Sequence, residues 1–516
     1  MSVQLVLGNI ESRIVGFLPD EVQTELDDTL CYRMKGIEHS DKVKKGLWDG
    51  YTRLYRRNRQ SYLTGLQSIV SEILKKHNIA YQRKDMRVRP DINIQNLEFS
   101  PPSKYEERDY QQITIDKAYN STRGLLKIAT GGGKTMVVTE LIGKIKTGPF
   151  MFYVLTKDLL DQAHDTLSTC LNAPIGRIGG GECDIKMINV CTIQTAIRAI
   201  NVNRKFDISD YSFDEEDSEW WNEKDIDSAE RLEMIRKVIS SCKGLYFDET
   251  HHAAANTCRD VINASPNAFW KFGGSATPYR EDGAEIMLQA LFGRKIVDIN
   301  ASYLIDRGFL CEPNIIFEPI HSNINLHSWK SIYKNCVAKN DDFNRHVAET
   351  AQFLMDKGLS TMVLVGQIQQ GEFLKKLLPN IPFVSHKTAK TLRRNSIQDL
   401  RDGKTLGMIA TSLADEGLDI PTLNSVLLAG GGASATRVNQ RIGRALRIDK
   451  SAPRKKSLVI YYEHDAKYLS THAKRVRKIL KEEPRFKILK SGGKDAIKRE
   501  IESVMGFAST QPTLFD

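Results

Sequence analysis

The sequence lacks the features that would tie it to a membrane, a secretory route or a structural metal. No apolar run approaches the roughly 20 residues that cross a bilayer. The N-terminus MSVQLVLGNIESR has no basic flank leading into an apolar stretch, so a cytoplasmic protein is expected. The eight cysteines (Cys31, Cys170, Cys183, Cys191, Cys242, Cys258, Cys311 and Cys336) are scattered without a CxxC pair. That argues against a zinc or iron–sulfur centre and reads as small core residues in a reducing compartment. No short-period repeat is visible, and no carboxylate–lysine constellation of a nuclease stands out. What is present is the composition of a soluble globular chain, 41% apolar, 27% charged and 8% aromatic. At 516 residues it exceeds a single hydrophobic core, and about three or four domains are expected. Lysine and arginine exceed aspartate and glutamate by 74 to 64, a net charge of +10. That excess favours a polyanionic partner, although many basic proteins bind no nucleic acid.

The texture changes along the chain. Residues 1–103 are of mixed pattern and end in the turn-rich PDINIQNLEFSPPSKY, where Pro101 and Pro102 mark a linker. From about 104, short apolar runs (GLLKIAT, FMFYVLT, MINVCT, GLYFDE, AFWKFGGSA) alternate with helix-like stretches, and after about 312 the rhythm resumes with TMVLVG, IPFVSH, LGMIAT, SVLLAG and KSLVIYY. Such alternation predicts two α/β domains in tandem, each a parallel sheet wrapped by helices, over 104–305 and 306–466. A small α+β domain over 1–103 precedes them, and a basic helical extension with a loose end, 467–516, follows. The acidic stretch from Phe206 to Glu230 carries Trp220 and Trp221. It reads either as a solvated insertion or as a flap that competes with nucleic acid for a basic groove.

Strand GLLKIAT runs into Gly131, Gly132, Gly133, Lys134 and Thr135. Glycines at a strand-to-helix turn let backbone N–H groups approach phosphate oxygens, and the helix N-terminus adds positive potential. Lys134 would reach the β and γ phosphates of ATP, and Thr135 would ligate Mg²⁺. The first position of the usual GxxxxGK[ST] pattern is Ile128, a departure at a site that only shapes the loop. In the same domain GLYFDETHH delivers Asp248 and Glu249 to the C-terminal edge of a strand, where open α/β sheets bind ligands. Asp248 would hold Mg²⁺ through water, and Glu249 would deprotonate the attacking water. Taken alone, either piece could be a plain turn; in this order they form a nucleotide site.

ATGGGKT, DETH (Asp248 to His251), SAT (Ser275 to Thr277) and QRIGRALR (Gln440 to Arg447) occur in the order and approximate spacing of conserved motifs of superfamily 2 helicases. RDYQQ, VLTKDLLDQ, CTIQT, VGQIQQGEFL and ATSLADEGLDIP resemble the intermediate motifs, so the resemblance covers about 104–465. It implies two RecA-like domains that share one ATP site. By it Gln111, with Arg108, reads the adenine; Gln440, Gly417 and Asp419 complete the nucleotide contacts; Arg444 and Arg447, on one helical face, act as arginine fingers. Ser275 and Thr277 would link hydrolysis to movement. Thr156, Lys157, Thr192, Gln194, Thr195, His386, Thr411 and Ser412 would grip a nucleic-acid backbone, though each alone could be a cap or turn residue.

DETHH with SATPYREDG places the motor near the XPB and type III restriction group. LWDGYTRLY with a downstream TGL, and HDAKYLSTHAKRVRKIL after the motor, resemble phage UvsW-type branch-migration helicases. DNA, with branched duplex foremost, is the implied partner. The first domain carries Arg33, Lys35, Lys42, Lys44, Lys45, Arg53, Arg56, Arg57 and Arg59 interleaved with Trp48, Tyr51 and Tyr55. That pattern suits nucleic-acid binding, with Arg53 and Arg56 as candidate contacts, or a solvated face over buried aromatics. The terminal QPTLFD places Gln511, Leu514 and Phe515 in the QxxLF pattern captured by sliding clamps, or is an uninformative end. An RNA helicase and a non-catalytic scaffold are the competing readings. The intact Lys134, Thr135, Asp248, Glu249, Arg444 and Arg447 argue against the scaffold.

Overall fold

A computed structural model describes residues 2–33, 37–103, 105–202, 228–250, 255–276, 285–322, 326–411, 420, 422–431, 438, 442–443, 457–494 and 496–506. The chain forms two compact units. One comprises Met1–Ile128 with Gly133–Asp298, the other Ala129–Gly132 with Ile299–Asp516.

The first unit begins with a five-stranded sheet in the order Tyr55–Arg56, Ser61–Leu63, Glu11–Val15, Ser2–Leu7, Ala80–Asp85. Its neighbours are antiparallel except Ser2–Leu7 with Ala80–Asp85, which run parallel. The segment between those two includes helix Gln67–Lys76, long enough for the crossover that parallel pairing demands. Val3 and Leu5 alternate inward against Val22 and Leu26 of helix Asp20–Thr29 and Val70, Ile73 and Leu74 of the crossover helix. This is the small α+β domain.

Its attachment to the first α/β domain is tight. The Gly65 Cα lies so close to helix Glu285–Phe292 that a Cβ there would be 2.1 Å from the Gln289 carbonyl oxygen and 2.5 Å from that of Ala290. The TGL of the sequence is therefore a docking element that only glycine permits. Asn9 adds a second contact: its carbonyl accepts from Lys271 Nζ at 2.8 Å, and its Nδ2 donates to the Pro266 carbonyl at 3.0 Å. Burial, with the Arg123 guanidinium nearby, holds the Lys271 ammonium well below the ordinary lysine range. The proline-rich stretch expected to be a linker is a strap laid along the α/β domain. Asn93 Nδ2 donates to the Gly148 carbonyl (2.7 Å), Asn172 Oδ1 accepts from the Glu98 N–H (2.7 Å), and Phe99 bridges Leu171. The Lys146 and Cys170 carbonyls and the Asn172 side chain satisfy much of its backbone, so it needs no sheet of its own.

The first α/β sheet has eight strands, in the order Glu182–Asp184, Ile175–Gly179, Ile188–Thr192, Phe150–Val154, Gly244–Phe247, Trp270–Ser275, Arg123–Ile128, Lys295–Ile299. The five apolar runs read from the sequence are its central strands, buried on both faces as parallel strands between helices must be. Strands Ile175–Gly179, Glu182–Asp184 and Lys295–Ile299 are additions at the edges, where charge and glycine obscure the pattern.

In the second unit seven parallel strands run in the order Phe383–Val384, Gly407–Ala410, Thr361–Leu364, Ser425–Leu428, Ser457–His464, Pro313–Ile320, Lys487–Lys490. The extension after 466 is helical over Lys467–Leu480 and Ile497–Met505, but between them it contributes the edge strand. KILK was too short and too charged to show as a strand; lysines at an edge are a common guard against unwanted pairing. Beneath helix Asp341–Asp356, His346 Nε2 meets Glu318 Oε1 at 2.5 Å. Close by, the His464 ring packs edge-on to Phe343 at 4.6 Å. Burial pulls His464 down to about 4. The folded state thus binds this proton less well than the unfolded chain. The stability His464 permits is complete above about pH 6.5 and is lost as pH falls towards 4, by roughly 3 kcal/mol at most. We expect the urea midpoint of unfolding to fall between pH 7 and pH 5 by less in His464→Leu than in the wild type; equal falls would contradict this.

Candidate nucleotide site

The glycine-rich turn follows strand Arg123–Ile128. Gly131 and Gly133 take φ values of 82° and 74°, which side chains resist, and Gly133 starts helix Lys134–Ile145. A Cβ at Gly133 would lie 2.5 Å from Gln111 Nε2. The carboxamide of Gln111, 1% exposed, thus sits against the phosphate loop. Its oxygen accepts from the Arg108 N–H at 3.0 Å and the Tyr105 hydroxyl at 2.7 Å, closing a capping box with Arg108 at the start of helix Asp109–Ser121. Tyr105, which fixes Gln111, is not singled out by the sequence.

Lys134 projects from the first turn of its helix onto the end of strand Gly244–Phe247. Its ammonium donates to Glu249 Oε1 and lies 3.5 Å from Asp248 Oδ1, with side-chain exposures of 12%, 20% and 13% respectively. Burial opposes the charge on Lys134, but the carboxylates of Glu249 and Asp248 outweigh it and raise its pKa. For Asp248, burial pushes the carboxyl up against the pull of Lys134. Asp248 is aimed by two donors, Tyr246 Oη at 3.0 Å and the Glu249 N–H at 3.1 Å. Glu249 adopts φ +48°, a left-handed conformation that turns the chain off the strand and brings its carboxylate beside its neighbour's.

The adjoining strand Trp270–Ser275 shows why FGGS carries two glycines. A Cβ at Gly274 would lie 1.9 Å from Tyr246 Oη, and one at Gly273 would lie 2.8 Å from Thr250 Cγ2; the Thr250 N–H donates to the Gly274 carbonyl at 3.0 Å. The strand that ends in Ser275 thereby clamps the two carboxylates. Tyr246 and Thr250 were missed in the sequence, where a tyrosine two before the aspartate looks like one more apolar strand residue. Tyr246→Phe removes one hydrogen bond to a carboxylate, worth about 1.5–3 kcal/mol. We expect the Mg²⁺ concentration for half-maximal ATPase to rise by up to roughly 10- to 150-fold, and an unchanged value would show that the hydroxyl does not position Asp248.

The hydroxyl residues proposed for nucleic acid divide into groups. Thr156 caps helix Lys157–Cys170, its Oγ1 accepting from the Leu159 N–H at 3.3 Å, and Lys157 Nζ donates to the Gly180 carbonyl. Thr192 caps helix Ile193–Ile200; its hydroxyl meets that of Thr195 at 2.8 Å, and both are buried. Thr156 and Thr192 are helix caps, and Thr195, whose N–H donates to Thr192 Oγ1 at 3.4 Å, sits with Gln194 in the first turn of the second helix. In the second unit His386 is exposed after strand Phe383–Val384, and Thr411 is buried after Gly407–Ala410. Arg53 pairs with Asp49 at 2.6 Å and Arg56 approaches Glu11 at 3.5 Å, both exposed. Of the aromatics interleaved with them, Tyr55 belongs to the core, while Tyr51 is exposed beside Arg33. Trp48–Tyr51 is a turn closed by Asp49 Oδ1 to the Tyr51 N–H and by Trp48 Nε1 to the Tyr51 carbonyl.

Gly443, of QRIGR, meets Thr130 within the second unit, which takes in Ala129–Gly132: a Cβ there would lie 2.7 Å from the Thr130 Cβ. His251, Thr277, Ser412, Gly417, Asp419, Gln440, Arg444, Arg447, Lys35, the acidic residues 206–227 and the terminal Gln511, Leu514 and Phe515 lie outside the described residues.

Two RecA-like parallel-sheet domains, a glycine-rich phosphate loop and a lysine set on paired carboxylates define a P-loop nucleotide motor. Family comparison agrees. The family "Type III restriction enzyme, res subunit" matches residues 104–280, and "Helicase conserved C-terminal domain" matches 345–449. The chain carries matches to both halves of a helicase motor and resembles the UvsW, XPB and type III restriction motors of superfamily 2. It is 26% identical to the DNA 3'-5' translocase XPB2 of Sulfurisphaera tokodaii, over 75% of this chain and 91% of that one. To the ATP-dependent DNA helicase uvsW of Enterobacteria phage T4 it is 24% identical, over 82% and 83%. Two further curated helicases are matched over only 66% and 52% of their own length. Among solved structures, a fragment of an HsdR subunit of a type I restriction enzyme from Vibrio vulnificus shares the fold, with TM-score 0.53 and 18% identity over 76% of this chain and 69% of that one. No described helix is long and apolar enough to cross a membrane.

Proposed function

We propose that the chain is an ATP-driven DNA translocase that remodels branched DNA, regressing forks and migrating four-way junctions. The observation that carries the motor reading is the set of Lys134 with Glu249 and Asp248 beside the glycine loop. A cation, backbone N–H donors at a helix N-terminus and two carboxylates are the donor set that a nucleoside triphosphate and its metal require. Thr135 and Asp248 would hold Mg²⁺, which supplies charge neutralisation at the β and γ phosphates. Phosphate oxygens compete with the carboxylates for the Lys134 ammonium, so nucleotide binding releases Glu249 to orient and deprotonate the attacking water. Gln111, with Arg108, would read the base, and Gln440, Gly417 and Asp419 would complete the nucleotide contacts. Arg444 and Arg447 would stabilise charge on the transferring phosphoryl group.

The DNA reading is supported by the printed activities of the uvsW and XPB2 relatives and by the net charge of +10. Contacts by His386, Thr411, Ser412, Arg53 and Arg56, and by the capped helix N-termini at Thr156–Lys157 and Thr192–Thr195, would track phosphates. Gln511, Leu514 and Phe515 would engage a sliding clamp; equal clamp recovery after removal of residues 511–516 would end that part. ATPase stimulation by a synthetic four-way junction, plain duplex and structured RNA tests the substrate. The junction is expected to stimulate most, and a preference for RNA would overturn the reading.

A further inference from the structure

We propose that Trp329, Tyr468 and His472 form a stacking platform for an unpaired DNA base on the second sheet domain; this rests on the DNA-motor reading above. The Trp329 and His472 rings lie parallel, 5.3 Å apart at 14°, and the Tyr468 ring stands edge-on to Trp329 at 6.3 Å and 89°. Although they pack on each other, Trp329 and Tyr468 each keep 37% of their surface exposed. Tyr468 Oη donates to the His327 carbonyl at 3.3 Å, which fixes its ring. A rigid aromatic face that stays wet contributes nothing further to the core and is poised for a planar partner.

The surrounding charge identifies the partner. Helix Lys467–Leu480 (KYLSTHAKRVRKIL) contains five lysines and arginines and no carboxylate. Arg477 is paired with Glu463 at 2.6 Å, while Lys467, Lys474, Arg475 and Lys478 are exposed. Helical periodicity puts Arg475 on the stripe of Tyr468 and His472, with Lys467, Lys474 and Lys478 along the adjacent one. Cations beside exposed ring faces are what a single nucleic-acid strand requires, phosphates on one stripe and a base on the other. Paired bases within a duplex present no free ring face, so the platform selects unpaired ones, as at a gap or a junction centre.

The platform also reaches the motor. Tyr333 packs against Trp329 at 5.5 Å and its hydroxyl donates to the Gly430 carbonyl at 2.5 Å, at the end of strand Ser425–Leu428. That segment leads into Gln440–Arg447, and Gln370 Nε2 holds its other side through the Ala429 carbonyl at 3.0 Å.

The test is equilibrium binding of the full chain, without nucleotide, to a labelled duplex and to the same duplex with a short single-stranded gap. Trp329→Ala and Tyr468→Ala should each weaken gap binding by about 5- to 150-fold, the worth of one stacked base. Binding to the intact duplex should stay within about twofold of the wild type, and Trp329→Phe should retain most gap affinity. Gap binding unchanged in both alanine variants, or lost equally with duplex binding, overturns the platform. If Trp329→Ala fails to fold, Tyr468→Ala decides alone. Failure of the wild type to bind the intact duplex would instead count against the DNA-motor reading.

Discussion

Lys134→Ala is expected to lower ATP turnover by at least about 10²–10³-fold, the usual cost of removing one preorganised donor from a charge-developing site. Two effects combine. The β and γ phosphates lose their ammonium, and Asp248 and Glu249 lose the cation that makes their joint burial tolerable. Burial already raises the Asp248 carboxyl against the pull of Lys134. Without that pull it rises further, so any residual activity should be lost on acidification at a higher pH than in the wild type. Glu249→Gln separates binding from chemistry, because it keeps the ammonium and the glycine loop but removes the base. Phosphate release should fall in both variants, and calorimetry should show nucleotide binding retained only in Glu249→Gln. Full turnover by Lys134→Ala would remove the nucleotide site from the account.

Gly65→Val should be the most damaging substitution away from that site. A Cβ at Gly65 would meet two backbone carbonyls of helix Glu285–Phe292 rather than a side chain that can step aside. Overpacking of this kind costs typically about 1–3 kcal/mol and more where only backbone can yield. The thermal midpoint of the first unit should fall by about 2–4 °C per kcal/mol. Glu72→Ala makes the control, at an exposed position of the crossover helix Gln67–Lys76. Equal midpoints for the two variants would show that the TGL element does not dock the small domain.

The contrast between these sites explains what was legible in the sequence. The phosphate loop and the DE pair could be read because the chemistry needs particular residue types at the ends of strands whose apolar runs are unbroken. The central strands of both α/β sheets were readable for the same reason. Tyr246 and Tyr105 were not, because a side chain that acts through one hydroxyl on a neighbour looks like any core aromatic. Gly65 was noticed as part of a short resemblance, but its role depends on a helix more than two hundred residues later, which no local pattern records. Thr156 and Thr192 cap helices, a role their residue type allows beside a phosphate contact, so the sequence alone left both readings open. The lysine-flanked strand Lys487–Lys490 escaped because pairing with Pro313–Ile320, not its own composition, makes it a strand.

The most direct test is a gel assay on a synthetic four-way junction with mobile arms, comparing wild type and Glu249→Gln with and without ATP and Mg²⁺. The expected result is that the wild type converts the junction to its arms only with ATP, while Glu249→Gln binds the junction and leaves it intact. Conversion without ATP, equal conversion by Glu249→Gln, or no conversion by a wild type whose ATPase the junction fails to stimulate would contradict it.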